Sequence, residues 1–241
     1  MFTKLKNRTT LLFVALLFSA GFPQTGWRHS DYKNTTHKNF HDNPLFSQTI
    51  DFTRIDYPLL NAAIFFVTNE ARVENGRKPL PFALELERSA YLHAKSMVEQ
   101  NFFSHENPHD KNRKTPEQRA KLAGIKNPFV AENIATRSGI VYEPNTPFYL
   151  IDEKQGTFSY SSGGPIIPNH TYLSFAEAIV KQWLDSPGHR RNLLSKDALR
   201  LGCGASFYRD PDFHNMPNFK AVQNFQLFRE IVPGKTAERW P

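Results

Sequence analysis

Apolar residues recur at helical spacing in the first half of the chain. One stripe begins near Tyr57 and is closed by Gly76, which stands where a glycine commonly follows a helix. It is made of Leu60, Ala63, Ile64, Val67 and Ala71. A second stripe is made of Leu86, Ala90, His93, Ala94 and Met97. The two stripes predict two amphipathic helices, and His93 is expected to be a buried, hydrogen-bonded histidine of the second.

Capping signals predict two more helices. The segment "TPEQRAKLAGI" places Pro116 at a first helical position between Thr115 and Gln118, which together form a capping box. Gly124 ends that short helix. A further helix is expected over residues 174–184, with a capping box formed by Ser174 and Glu177.

Short apolar runs separated by turns dominate the C-terminal part of the chain. "ALRLGCGASFYRD" and "FKAVQNFQLF" are typical of strands, and "PDFHNMPN" separates them. One earlier strand is expected around residues 141–150. Helices followed by strands favour an α+β fold with an antiparallel sheet.

The segment 136–173 is long, irregular and rich in Gly, Pro, Ser, Asn and aromatic residues. Such a segment inside a domain is usually functional or mobile. It is therefore interpreted as a loop insertion that forms a mobile rim or lid over a ligand site, with shielding of a helix as the alternative. The aromatic residues that would contact a ligand are Tyr142, Phe148, Tyr149, Phe158 and Tyr160.

The N-terminus carries a pattern of its own. Basic residues at positions 4, 6 and 8 precede the apolar run 11–22, which ends in small residues. This arrangement is typical of a secretory signal peptide, and a buried core helix is the alternative. We therefore expect a signal peptide over 1–22, a flexible tether over 23–56, one domain over 57–230 and a tail over 231–241. Such a chain would be secreted or periplasmic, and no apolar run is long enough to predict a transmembrane segment.

The net charge argues against a nucleic-acid partner, and the cysteine content excludes stabilisation by a disulfide within the chain. The formal charge of +7 falls to about +4 without the three basic residues of the signal segment, which is too small and too dispersed to favour a nucleic-acid partner. The one cysteine, Cys203, cannot form a disulfide within the chain and is interpreted as a buried strand residue. The core must then stabilise the fold, and the 21 Phe residues make that credible.

The segment "WLDSPGHRRNLL" interrupts a helix with turn residues immediately before His189. This histidine can either face a cleft or cap the preceding helix. Three other segments contain polar residues of interest: "TNEARVENGRKPL", "NFFSHENP" with His105, and "FVAENIAT" with Glu132 among apolar neighbours.

These four segments, in this order between residues 57 and 228, resemble the bacterial secreted branch of the CAP superfamily, which includes cysteine-rich secretory, antigen-five and pathogenesis-related proteins. The resemblance implies a three-layer α-β-α sandwich with a central antiparallel sheet. It also implies a cleft where two histidines and two acidic residues meet. His105, Glu132 and His189 occupy three of these positions, but the second acidic position is Ser186. Asp185, next to it, is a candidate substitute, and Glu177 is a weaker one.

The three matched residues allow two kinds of chemistry. Two imidazoles and a carboxylate are a reasonable ligand set for Zn²⁺ or another weakly bound divalent cation. The same groups can instead hold one another through hydrogen bonds without a metal. We expect a binding or interaction module for an envelope glycan, lipid or protein ligand. The alternative is a metal-assisted hydrolase with Glu132 as general base.

Overall fold

The computed structural model describes residues 26–237, and within them it is an α+β fold. The predicted signal peptide lies outside the described residues, as do residues 238–241. The helices are α1 Tyr57–Glu74, α2 Leu84–Glu99, α3 Pro116–Leu122, α4 Tyr172–Asp185 and α5 Pro187–Leu193. The strands are β1 Val130–Ser138, β2 Tyr149–Asp152, β3 Thr157–Ser159, β4 Ala198–Asp210 and β5 Met216–Leu227. None of the helices in this part of the chain is long and apolar enough to cross a lipid bilayer.

Local signals predicted both ends of α3 and the end of α1. Thr115 and Gln118 form the expected capping box of α3, and Gly76 follows α1 in a left-handed conformation. The capping box of α4 differs from the prediction, because it is formed by Thr171 and Ser174. Helix α4 therefore begins earlier than expected.

The main sheet has the order β1-β5-β4, and every pairing is antiparallel. The early strand expected at 141–150 is wrong in position, because the strand that enters this sheet is Val130–Ser138. Its interior, residues 132–135, is buried on both faces, so it lacks the alternation that marks a half-buried strand. Glu132 pairs with Asn224, while Gln223 pairs with Asn133 and Cys203.

Helices cover both faces of this sheet. Gln223 Nε2 donates to Thr68 Oγ1 of α1 at 2.6 Å, whereas its neighbour Asn224 meets Ser89 of α2. Because successive side chains of a strand point to opposite faces, α1 and α2 lie on opposite sides of β5. Phe175 of α4 packs against Phe219, which shares the α1 face. The result is the three-layer α-β-α sandwich.

Two glycines of β4 allow α2 to approach the sheet closely. A Cβ atom on Gly202 would meet the backbone of Leu86 and Glu87, and one on Gly204 would meet that of Tyr91. Between them, Cys203 faces the other way and is fully buried in the core against α1. Burial raises the pKa of its thiol well above the usual value, in keeping with the predicted role as a buried strand residue.

The segment expected to be a flexible tether is a structured arm. In the described residues 26–56, the apolar side chains of Trp27, Phe40, Phe46 and Ile50 are buried in the main core. The hydroxyl of Tyr32 also donates to the buried carboxylate of Glu87 at 2.8 Å. The arm lacks the helical or strand periodicity that sequence reasoning uses, yet its aromatic residues are spaced to fill gaps over α1.

The segment 136–173 is likewise more ordered than a mobile lid. It begins with the end of β1, contains the β2–β3 hairpin, and contributes Ile140, Phe158 and Ile167 to an apolar cluster with Met216. This cluster lies at the Ser138 end of β1, about 20 Å along the strand from Glu132. Tyr149 and Tyr160 are exposed, but on the hairpin and not over the Glu132 site.

Candidate functional site

Glu132 is the centre of the candidate site. It lies near the start of β1, and its side chain is directed to the α2 face of the sheet, opposite Asn224. The carboxylate is almost completely buried. A buried charge needs compensating partners, since removal from water is costly.

Three side chains supply these partners. Nη2 of Arg119 lies 3.0 Å from Oε1 and 2.8 Å from Oε2 of Glu132. Nδ1 of His105 lies 3.0 Å from Oε1. Asn224, in the amide orientation that suits its neighbours, donates to Oε2 at 3.1 Å and accepts from Ser89 Oγ. Both carboxylate oxygens are therefore engaged by protein donors.

The partners of Glu132 affect its pKa more than burial does. Burial by itself raises the pKa of Glu132, but the hydrogen bond from His105 and the positive charge of Arg119 lower it below its usual value. Glu132 is consequently ionised at neutral pH. A carboxylate with a lowered pKa is a weak proton acceptor.

His93 packs against this group as a buried histidine of α2, as predicted, although its Nδ1 atom has no hydrogen-bond partner among the described residues. Its Nε2 atom is 3.0 Å from the carbonyl oxygen of Ser104 and 3.8 Å from Oε1 of Glu132, so the carbonyl takes the hydrogen bond. Burial lowers the pKa of His93 to about 4, against the opposing effect of Glu132. Through Ser104, His93 holds the residue that precedes His105.

His189 is positioned by two asparagines. It lies in α5, and the predicted break before it is shorter than residues 185–188, because α4 ends at Asp185 and α5 already begins at Pro187. Asn133 donates to the carbonyl oxygen of His189 at 3.0 Å, and Asn192 donates to Oδ1 of Asn133 at 3.0 Å. These bonds fasten α5 to β1 beside Glu132.

The charge of His105 affects the pKa of His189. Partial burial lowers the pKa of His189, and the charge of His105 lowers it further. The structure thus brings His105 into direct contact with Glu132 and places His189 within electrostatic range of His105. The side chain of His105 is half exposed, with a relative accessibility of 50%.

Asp185, Ser186 and Glu177 do not complete this group. The carboxylate of Asp185 bonds Lys181 at 2.7 Å on an exposed surface. Ser186 is the residue shared between the ends of α4 and α5, and the pKa of Glu177 responds to burial, His41 and Glu70. The expectation that Asp185 replaces the missing acid is wrong, because the end of α4 directs it to solvent.

The zinc ligand set expected from His105, Glu132 and His189 is not assembled. Among residues 26–237, no three His, Cys, Asp or Glu side chains come together in an arrangement that could hold a metal ion. The physical reason is that Arg119 contacts both carboxylate oxygens of Glu132 and already supplies the positive charge that a metal cation would bring. The donor set therefore does not fit a metal centre.

Arg119 and Asn224 were missed by sequence reasoning. Arg119 lies on the same helical stripe as Pro116, Ala120 and Ala123, and only 2% of its surface is exposed. An arginine on an apolar stripe is a signal for a buried ion pair, because arginine is otherwise almost never fully buried. Asn224 carries no comparable signal in the sequence.

Comparisons with known proteins agree with the resemblance. The model of the family described as "CAP: Cysteine-rich secretory protein family" matches residues 65–225. The uncharacterized protein YkwD of Bacillus subtilis (strain 168) is 27% identical over 138 residues, which are 57% of this chain. This chain covers only 39% of the length of that relative.

Two solved structures are also similar. An extracellular protein containing an SCP domain from Bacillus anthracis str. Ames is 22% identical, with 72% of this chain and 42% of that chain covered and a TM-score of 0.46. An outer surface protein from Borrelia burgdorferi is 17% identical, with 75% of this chain and 98% of that chain covered and a TM-score of 0.43.

Proposed function

We propose that this chain, which belongs to the CAP family of cysteine-rich secretory proteins, is a secreted binding module that holds an external ligand between His105 and His189. The observation that carries the proposal is the engagement of Glu132 by Arg119 at 2.8 and 3.0 Å. This ion pair makes Glu132 a support for His105 and leaves the histidines as the groups available to a ligand.

The hydrogen bond to Glu132 determines what His105 offers to a ligand. A carboxylate only accepts hydrogen bonds, so Nδ1 of His105 carries the proton. In the neutral ring the other nitrogen, Nε2, is then an acceptor. No other described residue donates to it, and half of the side chain is exposed. A ligand hydroxyl is a fitting donor, which favours an envelope glycan over a lipid.

Export is part of the proposal. The basic residues at positions 4, 6 and 8 and the apolar run 11–22 support removal of a signal peptide. A chain released outside the cytoplasm would meet the glycans of the cell envelope. Mass spectrometry of the exported chain would detect a new N-terminus near residue 23, and an intact Met1 would contradict export by cleavage.

The rival function, metal-assisted hydrolysis with Glu132 as general base, has less support. A general base must accept a proton, but Glu132 has a lowered pKa and both of its oxygens are engaged. The charge of Arg119 also opposes the approach of a divalent cation. Binding without catalysis needs neither step.

Nuclear magnetic resonance of the histidine rings tests the proposal. Soluble envelope glycan fragments, used as the probe, should shift the Cε1–H resonances of His105 and His189 and leave that of His214 unchanged. His214 is a suitable control because it is exposed and pairs with Glu153 in another part of the surface. Substitutions H105A and H189A should each weaken binding at least about tenfold, whereas H214A should not.

Two results would reject parts of this proposal. The absence of any shift at millimolar glycan would reject a glycan as the ligand. Metal-dependent hydrolysis across an ester, peptide and glycoside panel, abolished in E132Q, would replace binding with catalysis. Calorimetry with zinc tests whether the site binds a metal. We expect no tight, saturable binding.

A further inference from the structure

Arg137 lies in β1, and its guanidinium has no hydrogen-bond or ion-pair partner among the described residues. The side chain is partly buried, and its Nε atom is shielded from solvent without a hydrogen-bond acceptor. Within residues 26–237, no carboxylate forms an ion pair with it and no carbonyl accepts from it. Burial alone accounts for the lowered pKa of Arg137, which is consistent with the lack of a nearby acid. An arginine removed from water without a partner is costly.

Two adjoining cavities share Arg137. One of about 460 Å³ contains Tyr142, Pro144, Phe213 and Met216 among its lining residues. The other, of about 530 Å³, lies along α4 and is lined in part by Lys181. Both volumes lie in the range of small-molecule sites. The first cavity has no acidic residue in its lining.

The polar neighbours of Arg137 in the first cavity are uncharged, whereas the second cavity also contains Glu177, Lys181 and Asp185. In the first cavity they include Ser138, Gln182 and Asn218. The buried ring of His170 is close enough for the charge of Arg137 to help burial lower its pKa to about 4, so it is neutral at physiological pH. The Nε2 atom of His170 also has no partner in the described structure. The guanidinium is thus the main charge on this cavity wall.

We propose that the 460 Å³ cavity binds a small molecule that carries an oxyanion on an apolar body. The oxyanion, a carboxylate or a phosphate, pairs with the guanidinium of Arg137. The apolar body lies against Tyr142, Phe213 and Met216. Arginine presents several donors in one plane and suits both anions.

This site is separate from the His105–His189 cleft. Arg137 follows Glu132 by five residues, so the two side chains point to opposite faces of the sheet and their Cα atoms are about 16 Å apart. The inference therefore goes beyond the proposed glycan cleft. Loss of glycan binding in H189A would leave it intact.

Calorimetry with matched probes tests the oxyanion site. Benzoate and phenyl phosphate supply the two anions on the same ring, and benzamide supplies a neutral counterpart. We expect at least one of the two anions to bind, and to bind at least about tenfold more tightly than benzamide, since a charge-assisted hydrogen bond is about twice as strong as a neutral one. The tighter of the two identifies the anion. Equal binding of benzamide, or no binding of either anion, would overturn the proposal.

Variants of Arg137 separate binding from folding. R137M should weaken binding of the preferred anion at least about tenfold, while its midpoint of thermal unfolding stays equal to or above that of the native chain, because a partly buried charge without a carboxylate partner is removed. R137K should retain part of the affinity. R191M is the matched control, since Arg191 is an exposed residue of α5, and it should bind as the native chain does. Unchanged anion binding in R137M would overturn the assignment.

Discussion

Arg119 and Glu132 form a buried ion pair that joins α3 to the central sheet. Both side chains are at most 3% exposed, and one guanidinium nitrogen contacts both carboxylate oxygens. Arg119 also donates to the backbone carbonyls of His105, Arg113 and Lys114. The pair therefore fixes the loop that presents His105, and it couples the position of His105 to the stability of the domain.

Removal of Arg119 should be strongly destabilising. R119M leaves Glu132 buried without its cationic partner, which costs about 3–5 kcal/mol of the free energy of unfolding. The double variant R119M/E132Q removes both charges and should recover a substantial part of this loss. Urea denaturation at pH 7, followed by circular dichroism, measures the free energy of unfolding of the native chain, R119M and R119M/E132Q.

An exposed ion pair provides the comparison for this experiment. Lys181 and Asp185 lie at i and i+4 on α4 and are both well exposed. K181M should therefore change stability very little, because solvent screens such pairs. An R119M protein as stable as K181M would show that the buried pair does not hold the site.

Acidification from neutral pH should destabilise the domain, and the loss should begin at pH values higher than those at which its carboxylates titrate. The pKa of His93 is about 4 in the folded chain, against 6.5 for an unperturbed histidine. A lowered histidine pKa means that the unfolded state binds the proton more readily, so stability is full above about pH 6.5 and is lost as pH falls towards 4. His93 contributes roughly 3 kcal/mol to this loss, and His170 behaves in the same way.

The variant H93Q isolates the contribution of His93. Its amide can still donate to the carbonyl oxygen of Ser104 but does not titrate. Urea denaturation between pH 7 and 5 should show a shallower pH dependence in H93Q, with the part due to His170 remaining. The same slope in H93Q and the native chain would contradict the assignment to His93.

Periodicity predicted the layers of this fold but not every segment. The apolar stripes predicted α1 and α2, the short apolar runs predicted β4 and β5, and each of these elements is present. Strand β1 is covered on both faces and contains Glu132 and Asn133 at its centre. Their polar side chains are buried by partners from other elements, which a reading along the chain does not reveal.

Sequence patterns likewise identified candidate residues of the site but not the contacts between them. Motif order predicted His105, Glu132 and His189 as site residues, and the family match over residues 65–225 supports the resemblance on which that prediction rests. The absence of a metal arrangement in the described residues depends on Arg119, a residue of a helix that motif reading treated as structural. The apolar stripe signals that Arg119 is buried, but the identity of its partner, Glu132, depends on three-dimensional packing and cannot be read from spacing along the chain.

The N-terminal arm should be necessary for full stability. Phe40 is completely buried, and its ring centroid lies 5.5 Å from that of Phe66 in α1. F40A should cost about 3–5 kcal/mol, as for other buried aromatic truncations. F103A is the control, because Phe103 is 51% exposed. Rapid proteolysis within residues 30–50 of the native chain, together with native-like stability of F40A, would instead favour a flexible tether.

The close approach of α2 to β4 should make Gly204 intolerant of a side chain. The Cβ atom of G204A would meet the backbone of Tyr91, and neither a strand paired with β5 between two helical layers nor a helix packed on it can move aside freely. We expect a loss of at least about 2 kcal/mol in the free energy of unfolding, as for overpacked cores.

Gly188 in α5 provides the matched control for Gly204. A Cβ atom added to Gly188 would have open space around it, with no other atom within 4 Å. G188A should therefore be neutral or stabilising by about 0.5–1 kcal/mol, because alanine favours the helix and restricts the unfolded chain. Thermal and urea unfolding of the two variants give the comparison. Equal stability of G204A and G188A would mean that α2 does not rest on the sheet at Gly204.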